Sequence, residues 1–315
     1  MKIALDVMGG DYGPEATVKG AILARQKISS ETGIVLIGDE SIIRKIMAEE
    51  SASSDGFEIV HSPEFIEMGE NPSKSFVKKP NSSIAIGFGM LAKGLVQAFA
   101  SAGNTGAMLV GAMYTVKSVP GVLRPCITGV MPRPNGKSGV LLDVGLNADC
   151  KPEILYQFGI LGSVYAEFVF NINNPRVGLI NIGEEEEKGN ILTKAAFELM
   201  KGTKQFNFVG NVEGFDVFDD GKADVMVCDG FVGNVLLKAG ESFYPLSQSQ
   251  GMKGEFFERF NFENYGGSPI LGVNGNVIIG HGASNPKAIM NMLILSKEVA
   301  EANLPEKFQA IFLCS

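Results

Sequence analysis

Four times in this sequence an apolar run rich in β-forming residues stops at a Gly/Asn-rich corner that opens into a helical pattern. The corners are Asp6-Val7-Met8-Gly9-Gly10-Asp11, Ser101-Ala102-Gly103-Asn104-Thr105-Gly106, Gly183 through Asn190, and Asp229-Gly230-Phe231-Val232-Gly233-Asn234. A strand that turns through glycine into a helix aims unpaired backbone N–H groups, and the positive end of the helix dipole, at one spot. Such a concavity binds anions, phosphate above all. Where the strands run parallel, all such corners share one edge of a sheet.

The strand-like runs cover residues 2–7, 34–38, 57–60, 96–101, 140–144, 177–181, 206–209 and 224–229. They are apolar nearly throughout, as suits strands covered on both faces. Helical patterns alternate with them at 14–28, 40–50, 82–91, 105–117, 152–168, 191–201, 232–244 and 286–300. Pro14 and Pro152 fit a first helical turn, and Asn81, Asn190 and Ser284 read as N-caps. The alternation predicts right-handed crossovers and an α/β fold with a mainly parallel, doubly wound sheet. Residues 127–131 and 140–143 flank Pro132-Arg133-Pro134-Asn135-Gly136, and the Asn-Gly pair predicts an antiparallel hairpin. No linker breaks the 315 residues, so one domain over 1–315 is expected, with an irregular or helical excursion near 244–268.

Charge narrows the function classes. Asp and Glu number 35 against 27 Lys and Arg, a net charge of −8. No basic cluster is interleaved with aromatics, so no nucleic-acid partner is expected. An anionic substrate must find a local positive pocket instead. Cys126, Cys150, Cys228 and Cys314 stand far apart, and His61 and His281 are the only histidines. That spacing does not suit a zinc site, no cofactor is expected, and the thiols read as reduced and cytoplasmic. The most apolar region, 84–116, is broken by Lys93 and glycines and predicts no membrane span. Met1 leads straight into a strand pattern, without the features of a signal peptide.

In the second corner Gly103 admits positive φ, Asn104 tolerates it, and Ser101 and Thr105 add hydroxyls to the backbone donors. A tight turn packed with small residues is the equal alternative. In the third, Lys188 stands between Glu184-Glu185-Glu186-Glu187 and Gly189-Asn190. There it can neutralise a phosphate oxygen while the acids hold its ammonium. In the fourth, Asn234 falls in the first helical turn, placed to donate to an oxyanion or to cap the helix. Asp6, Gly9 and Gly10 close the set, with Asp6 and Asp11 read first as loop-fixing groups. A fifth polar strand end adds Asp143 and Asn147, with Lys151, and His281 precedes the last helix. Gly183, Asn190, Asp229, Gly230 and Gly233 complete the candidate binding residues. Nothing matches a Ser-His-Asp triad, a P-loop or a dinucleotide fingerprint. Direct transfer between two bound substrates, with phosphate attacking an activated carbonyl, is the simpler chemistry.

Several longer strings go together: Asp6 to Asp11 with Gly13-Pro14, Ser101 to Ala107, Leu142 to Gly145 with Asp149 to Glu153, Pro175 to Leu179, Gly183-Glu184-Glu185 with Lys188-Gly189-Asn190, Gly210 to Gly214, Asp229 to Val235, Tyr265-Gly266-Gly267 and His281-Gly282. From residue 1 to about residue 300 the chain resembles the bacterial acyl-carrier-protein:phosphate acyltransferases of phospholipid synthesis. The resemblance implies a three-layer α/β/α sandwich related to phosphotransacetylase and isocitrate dehydrogenase. It implies a homodimer without cofactor. Inorganic phosphate would attack a long-chain thioester on acyl carrier protein, giving acyl phosphate and free carrier. A membrane-bound glycerol-3-phosphate acyltransferase would consume the product. Lys188 and Asn234 align with positions held to be catalytic in that family. A cytoplasmic enzyme is expected, with peripheral contact at the inner face of the membrane left open.

The family's long excursion with an apolar tip is short here. Its Phe256, Phe257, Phe260 and Phe262 read as core or dimer contacts rather than a membrane tip. Lys74, Lys78, Lys79, Arg124 and Arg133 are the candidates for a patch that receives the acidic carrier. A coenzyme A-dependent phosphotransacetylase and a non-catalytic anion-binding scaffold are the alternatives.

Overall fold

In the computed structural model, which describes residues 1–252 and 254–313, strands and helices follow in the order β1 (Lys2–Asp6), α1 (Glu15–Arg25), β2 (Gly33–Gly38), α2 (Glu40–Glu49), β3 (Phe57–His61), α3 (Pro72–Lys78), α4 (Ser83–Ala92), β4 (Ala98–Ser101), α5 (Thr105–Gly111), β5 (Cys126–Pro132), β6 (Ser138–Leu142), α6 (Pro152–Phe168), β7 (Arg176–Ile180), α7 (Ile191–Met200), β8 (Asn207–Val212), β9 (Val225–Val227), α8 (Gly230–Glu241), α9 (Phe243–Ser249), α10 (Glu255–Glu258), β10 (Ser268–Leu271), β11 (Asn276–Ile279), α11 (Pro286–Glu301) and α12 (Leu304–Leu313). The chain forms two compact units. One comprises Met1–Val119 and Phe262–Pro305, the other Pro120–Asn261 and the chain from Glu306. Cys314 lies outside the described residues.

In the first unit the strand order is β3-β2-β1-β4-β11-β10, parallel except for β10. Side chains alternate across a strand. Ile3, Leu5, Ile34, Leu36, Ala98 and Ala100 therefore face one side, where they join Val18 of α1, Ile43 of α2 and Ile289 and Met292 of α11 in one buried cluster. Ala4, Val35 and Phe99 face the other side and are equally buried. Phe88 of α4 meets Phe99 edge to face at 5.1 Å between centroids. Burial on both faces is why these strands read as continuous apolar runs.

In the second unit the order is β5-β6-β9-β7-β8. The pair β5/β6 is antiparallel and the remaining pairings are parallel. The hairpin turns at the expected Asn135-Gly136, with Gly136 at φ 83°. Gly162 of α6 packs on Leu142 and Val225, and Leu237 of α8 approaches Gly129. An α/β fold with a mainly parallel sheet and added antiparallel strands is what the alternation predicts.

The differences are local. Ser82, not Asn81, caps α4, and Asn285, not Ser284, caps α11. Pro286 at the first helical position fixes where α11 begins, so the cap is the residue just before it. The hairpin β10/β11 and the helices α3 and α12 go unread in the sequence. The stretch 244–268 folds into α9, α10 and a 3₁₀ turn. There Phe256 and Phe260 join Phe218 and Phe243 in an aromatic cluster with centroids 5.1–5.6 Å apart.

Gly87 of α4 lies so close to the Phe99 ring that a Cβ would overlap it. Gly87→Ala is expected to lower stability by about 1–3 kcal/mol through overpacking. Denaturant titration at fixed pH measures this, and an unchanged midpoint would contradict the packing described.

Candidate active site

In the first unit β1, β4 and β11 are parallel neighbours, so their carboxyl ends form one edge. Asp6 ends β1 and is 1% exposed. Its Oδ1 accepts from the Met8 N–H at 3.0 Å and its Oδ2 from the Ser101 hydroxyl at 2.7 Å. Ser101 Oγ in turn accepts from the Gly103 N–H at 2.9 Å. The Asp11 N–H reaches the Gly282 carbonyl at 2.8 Å. Three corners are thus joined by hydrogen bonds. Space is as tight as the bonding: a Cβ on Gly9 would stand 2.5 Å from Asp6 Oδ2 and 2.6 Å from Gly103 N.

Asn104 caps α5, its Oδ1 accepting from the Ala107 N–H at 3.0 Å. Its Nδ2 donates to the carbonyls of Glu67, Met68 and Glu70 at 3.0–3.1 Å, pinning that loop. The Gly103 amide, expected to face phosphate, is therefore committed. The N–H groups of Thr105 and Gly106 have no partner among the described residues, and Thr105 is exposed. His281 Nδ1 accepts from the Ala283 N–H at 3.1 Å, and its ring lies 4.8 Å from that of Phe262.

In the second unit β6, β9, β7 and β8 are parallel neighbours. Asp143 follows β6 and is fully buried. Oδ1 accepts from the N–H groups of Ile127 at 2.9 Å and Leu146 at 3.3 Å. Oδ2 accepts from Asn147 through its backbone at 2.6 Å and its amide at 2.9 Å. The Asn147 carbonyl takes the Gly230 N–H at 2.7 Å, and the Asp229 carboxylate caps α8 through Val232 at 2.9 Å. At Gly233 a Cβ would overlap the Asp143 carbonyl, so only glycine lets α8 approach this corner. That approach sets the exposed Asn234 beside Gly145, where a Cβ would lie 3.5 Å from Asn234 Oδ1.

The corner after β7 carries Lys188. Gly183 lies under its stem, 2.9 Å separating a Cβ there from Lys188 Cγ. Asn190 caps α7 through Thr193 at 2.9 Å. The acids do not hold the Lys188 ammonium as expected. Glu184 pairs with Lys222 and Glu186 with Lys201, partners remote in sequence. Lys188 is exposed and forms no ion pair among the described residues. Two buried amides that pattern reading passes over, Asn181 and Asn211, hold this loop from beneath.

The candidate residues thus fall into two sets. Asp6, Gly9, Gly10, Ser101, Gly103, Asn104, Thr105 and His281 belong to the first unit's rim. Asp143, Asn147, Gly183, Lys188, Asn190, Asp229, Gly230, Gly233 and Asn234 belong to the second's. Lys188 and Asn234 follow β7 and β9, which are adjacent. Arg133 is not a surface cation: it is 3% exposed, bonded to the Ala223 carbonyl and 3.6 Å from Asp224. Its neighbouring hairpin turn is polar, but the guanidinium points inward to satisfy that carbonyl. Burial pushes the thiols of Cys126 and Cys228 well up and that of Cys150 to about 12, with Asp143 adding to each, so none is a ready nucleophile. Among the described residues no three His, Cys, Asp or Glu side chains are grouped to hold a metal, and no helix is long and apolar enough to cross a membrane.

A family model described as "Fatty acid synthesis protein" matches residues 1–307. A relative from Pelotomaculum thermopropionicum named "Phosphate acyltransferase" is 43% identical over 98% of this chain and 94% of its own. One of the same name from Salinibacter ruber is 42% identical over 100% and 98%. The chain belongs to the phosphate acyltransferase family. A phosphotransacetylase from Streptococcus pyogenes superposes with a TM-score of 0.69 over 96% of this chain and 94% of its own, at 18% identity. A 4-hydroxythreonine-4-phosphate dehydrogenase from Klebsiella pneumoniae does so at 0.59 over 95% and 99%, at 15% identity. These two likenesses speak to the fold, which this phosphate acyltransferase family member shares with them.

Burial raises the Asp6 carboxyl above its ordinary 3.8, outweighing the hydroxyls and amides that lower it. Below 3.8 the group is protonated in both states and contributes nothing. As pH rises past that value the unfolded chain ionises first, so the cost to stability grows until the folded carboxyl ionises too and stays constant above that. Asp6→Asn cannot ionise and is expected to gain stability relative to the wild type as pH rises from 4. Urea titrations at several pH values measure the difference, and a pH-independent difference would refute the shift.

Proposed function

We propose that the chain is a phosphate acyltransferase that moves a long-chain acyl group from acyl carrier protein to inorganic phosphate. The near-full-length match to relatives of that name carries the reading. The geometry supports it with Lys188, an exposed cation in no ion pair among the described residues, and an exposed amide, Asn234, on the segments that follow adjacent strands. In this reading the loop after β7 and the first turns of α8 bring both side chains to one small ligand.

In this reading Lys188 holds phosphate beside the thioester. A phosphate oxygen attacks the carbonyl carbon, and Asn234 donates to the oxygen that becomes negative. The C–S bond then breaks, and the carrier thiolate leaves and takes up a proton. No covalent enzyme intermediate is needed, in keeping with the three inert thiols. The anion is further met by the N–H groups of Ile191 and Leu192 at the start of α7, which have no partner among the described residues. Exposed Lys74, Lys78 and Arg124 are the surface cations proposed to meet the acidic carrier. A homodimer, with a membrane glycerol-3-phosphate acyltransferase as consumer of the acyl phosphate, completes the proposal.

Purified protein incubated with phosphate and palmitoyl carrier protein is expected to release free carrier and acyl phosphate. Palmitoyl-coenzyme A in the same assay is expected to give neither. Lys188→Ala and Asn234→Ala are each expected to lower turnover by about a hundredfold, as for loss of one oxyanion or phosphate contact, with the fold intact by circular dichroism. Wild-type rates in both variants would reject these roles, and turnover of coenzyme A ester alone would reject the donor.

A further inference from the structure

The loop that carries Lys188 is anchored by side chains outside the candidate set. Asn181, just after β7, is buried, and its Nδ2 donates to the Lys188 carbonyl at 3.2 Å. The same amide nitrogen donates to Asn211 Oδ1 at 3.1 Å. Asn181 Oδ1 accepts from the Ile182 N–H at 2.9 Å. Asn211, on β8, is 3% exposed, and its Nδ2 donates to the Glu185 carbonyl at 2.8 Å. The two amides thus form a short ladder across β7 and β8, with one rung ending on each half of the loop.

The ladder depends on a fault in the sheet. The pairing of β7 with β8 shifts register between Val177 and Leu179. On β8 the irregularity falls at Gly210, whose φ of 95° is one that other residues rarely adopt. A bulge of this kind inserts a residue and re-aims the side chain that follows. Here that side chain is Asn211. An apolar residue at 211 would suit a buried strand end better, and burying an amide is costly unless its donors and acceptor are all used. Apart from the bond between them, both asparagines spend their hydrogen bonds on the loop.

We propose that Asn181 and Asn211 are positioning residues that fix the Lys188 backbone, and with it the affinity for the acceptor phosphate. The inference rests on the role proposed for Lys188. The ion pairs on the same loop, Glu184 with Lys222 and Glu186 with Lys201, are solvent-exposed and hold side chains rather than this segment of backbone. Exposed pairs of this kind contribute little. The amides bond to main-chain carbonyls from below, so they set where the lysine begins.

Steady-state kinetics with phosphate and palmitoyl carrier protein varied separately tests the proposal in Asn181→Ala, Asn211→Ala and Lys188→Ala, alone and combined. Asn211→Asp, nearly isosteric, keeps the acceptor for Asn181 but loses the donor to Glu185, and serves if the alanine variants do not fold. Gly210→Ala has open space around its Cβ and strains only the backbone of the bulge. The single asparagine variants and Gly210→Ala are expected to raise the KM for phosphate about tenfold, since small misplacements near a reacting group cost this much or more. The KM for palmitoyl carrier protein should stay within about twofold. In the Lys188→Ala background the same substitutions should change kcat/KM by less than about twofold, the signature of groups acting through one another. An unaltered phosphate KM, or the full loss persisting without Lys188, overturns the inference. A fully active Lys188→Ala enzyme overturns the reading of Lys188, and the inference falls with it.

Discussion

Each rim hangs from a buried carboxylate. Asp143 is fully buried and receives four hydrogen bonds, three of them from backbone N–H groups. Asp6 is nearly as buried and ties its own loop to the Ser101 corner. A carboxylate is tolerated inside a protein only when donors replace the water it has lost. Glycine-rich corners, conversely, have amides to spare and little packing of their own. Each supplies what the other lacks. Removing either carboxylate would leave several buried donors unpaired, at about 1–3 kcal/mol apiece. The corners are therefore fixed by the fold and do not wait for ligand to order them.

Those bonds also decide which donors remain for ligand. At Asn104, Asn190 and Asn285 the capping oxygen takes the third helical amide, and the cap's carbonyl takes the fourth. The first two positions stay open, except where proline has no hydrogen to give. At Asp229 even the first amide is spent, on the Asn147 carbonyl. Helix α8 then offers its side chain Asn234 more than its backbone. Charge is sorted in the same way. The chain is −8 overall, yet on the Lys188 loop two acids are paired with distant lysines and Lys188 itself forms no ion pair among the described residues. Such pairs add little stability at the surface, but they cancel negative charge where an anion has to approach.

The parallel strands other than β11 were legible because most are buried on both faces, which writes them as unbroken apolar runs. The hairpin at Asn135-Gly136 was legible from its turn chemistry. The other hairpin was not: β10 and β11 are four residues each, and Pro269 lies inside the first. Period-two patterns cannot be told from chance over so few positions, and proline argues against a strand. Asn190 was legible as a cap because capping residues stand out before a helix, whereas Asn104 and Asp229 were read as parts of their corners and turn out to be caps as well. Their partners were not. That Gly103 gives its amide to Ser101, that Arg133 turns inward, and that Glu184 prefers Lys222 all depend on contacts remote in sequence. Asn211 shows the limit most clearly. Its role requires a register shift that no local pattern records.

What pattern reading detects best is also what the proposed site would use most. An Asn or Asp at a strand-to-helix corner announces the helix because its oxygen replaces one missing acceptor, and only one. The amides it cannot reach are the ones left to meet an anion. Fold signal and binding signal therefore arise from the same incomplete capping. The glycines divide differently. Gly9 and Gly233 are required by how closely Gly103 and the Asp143 carbonyl approach them, distances fixed by strand spacing and helix placement. Enlarging either would push a corner outward and separate groups that work only in contact. The corners can thus be recognised one at a time in sequence, but their tolerance to change is a property of the assembled rim.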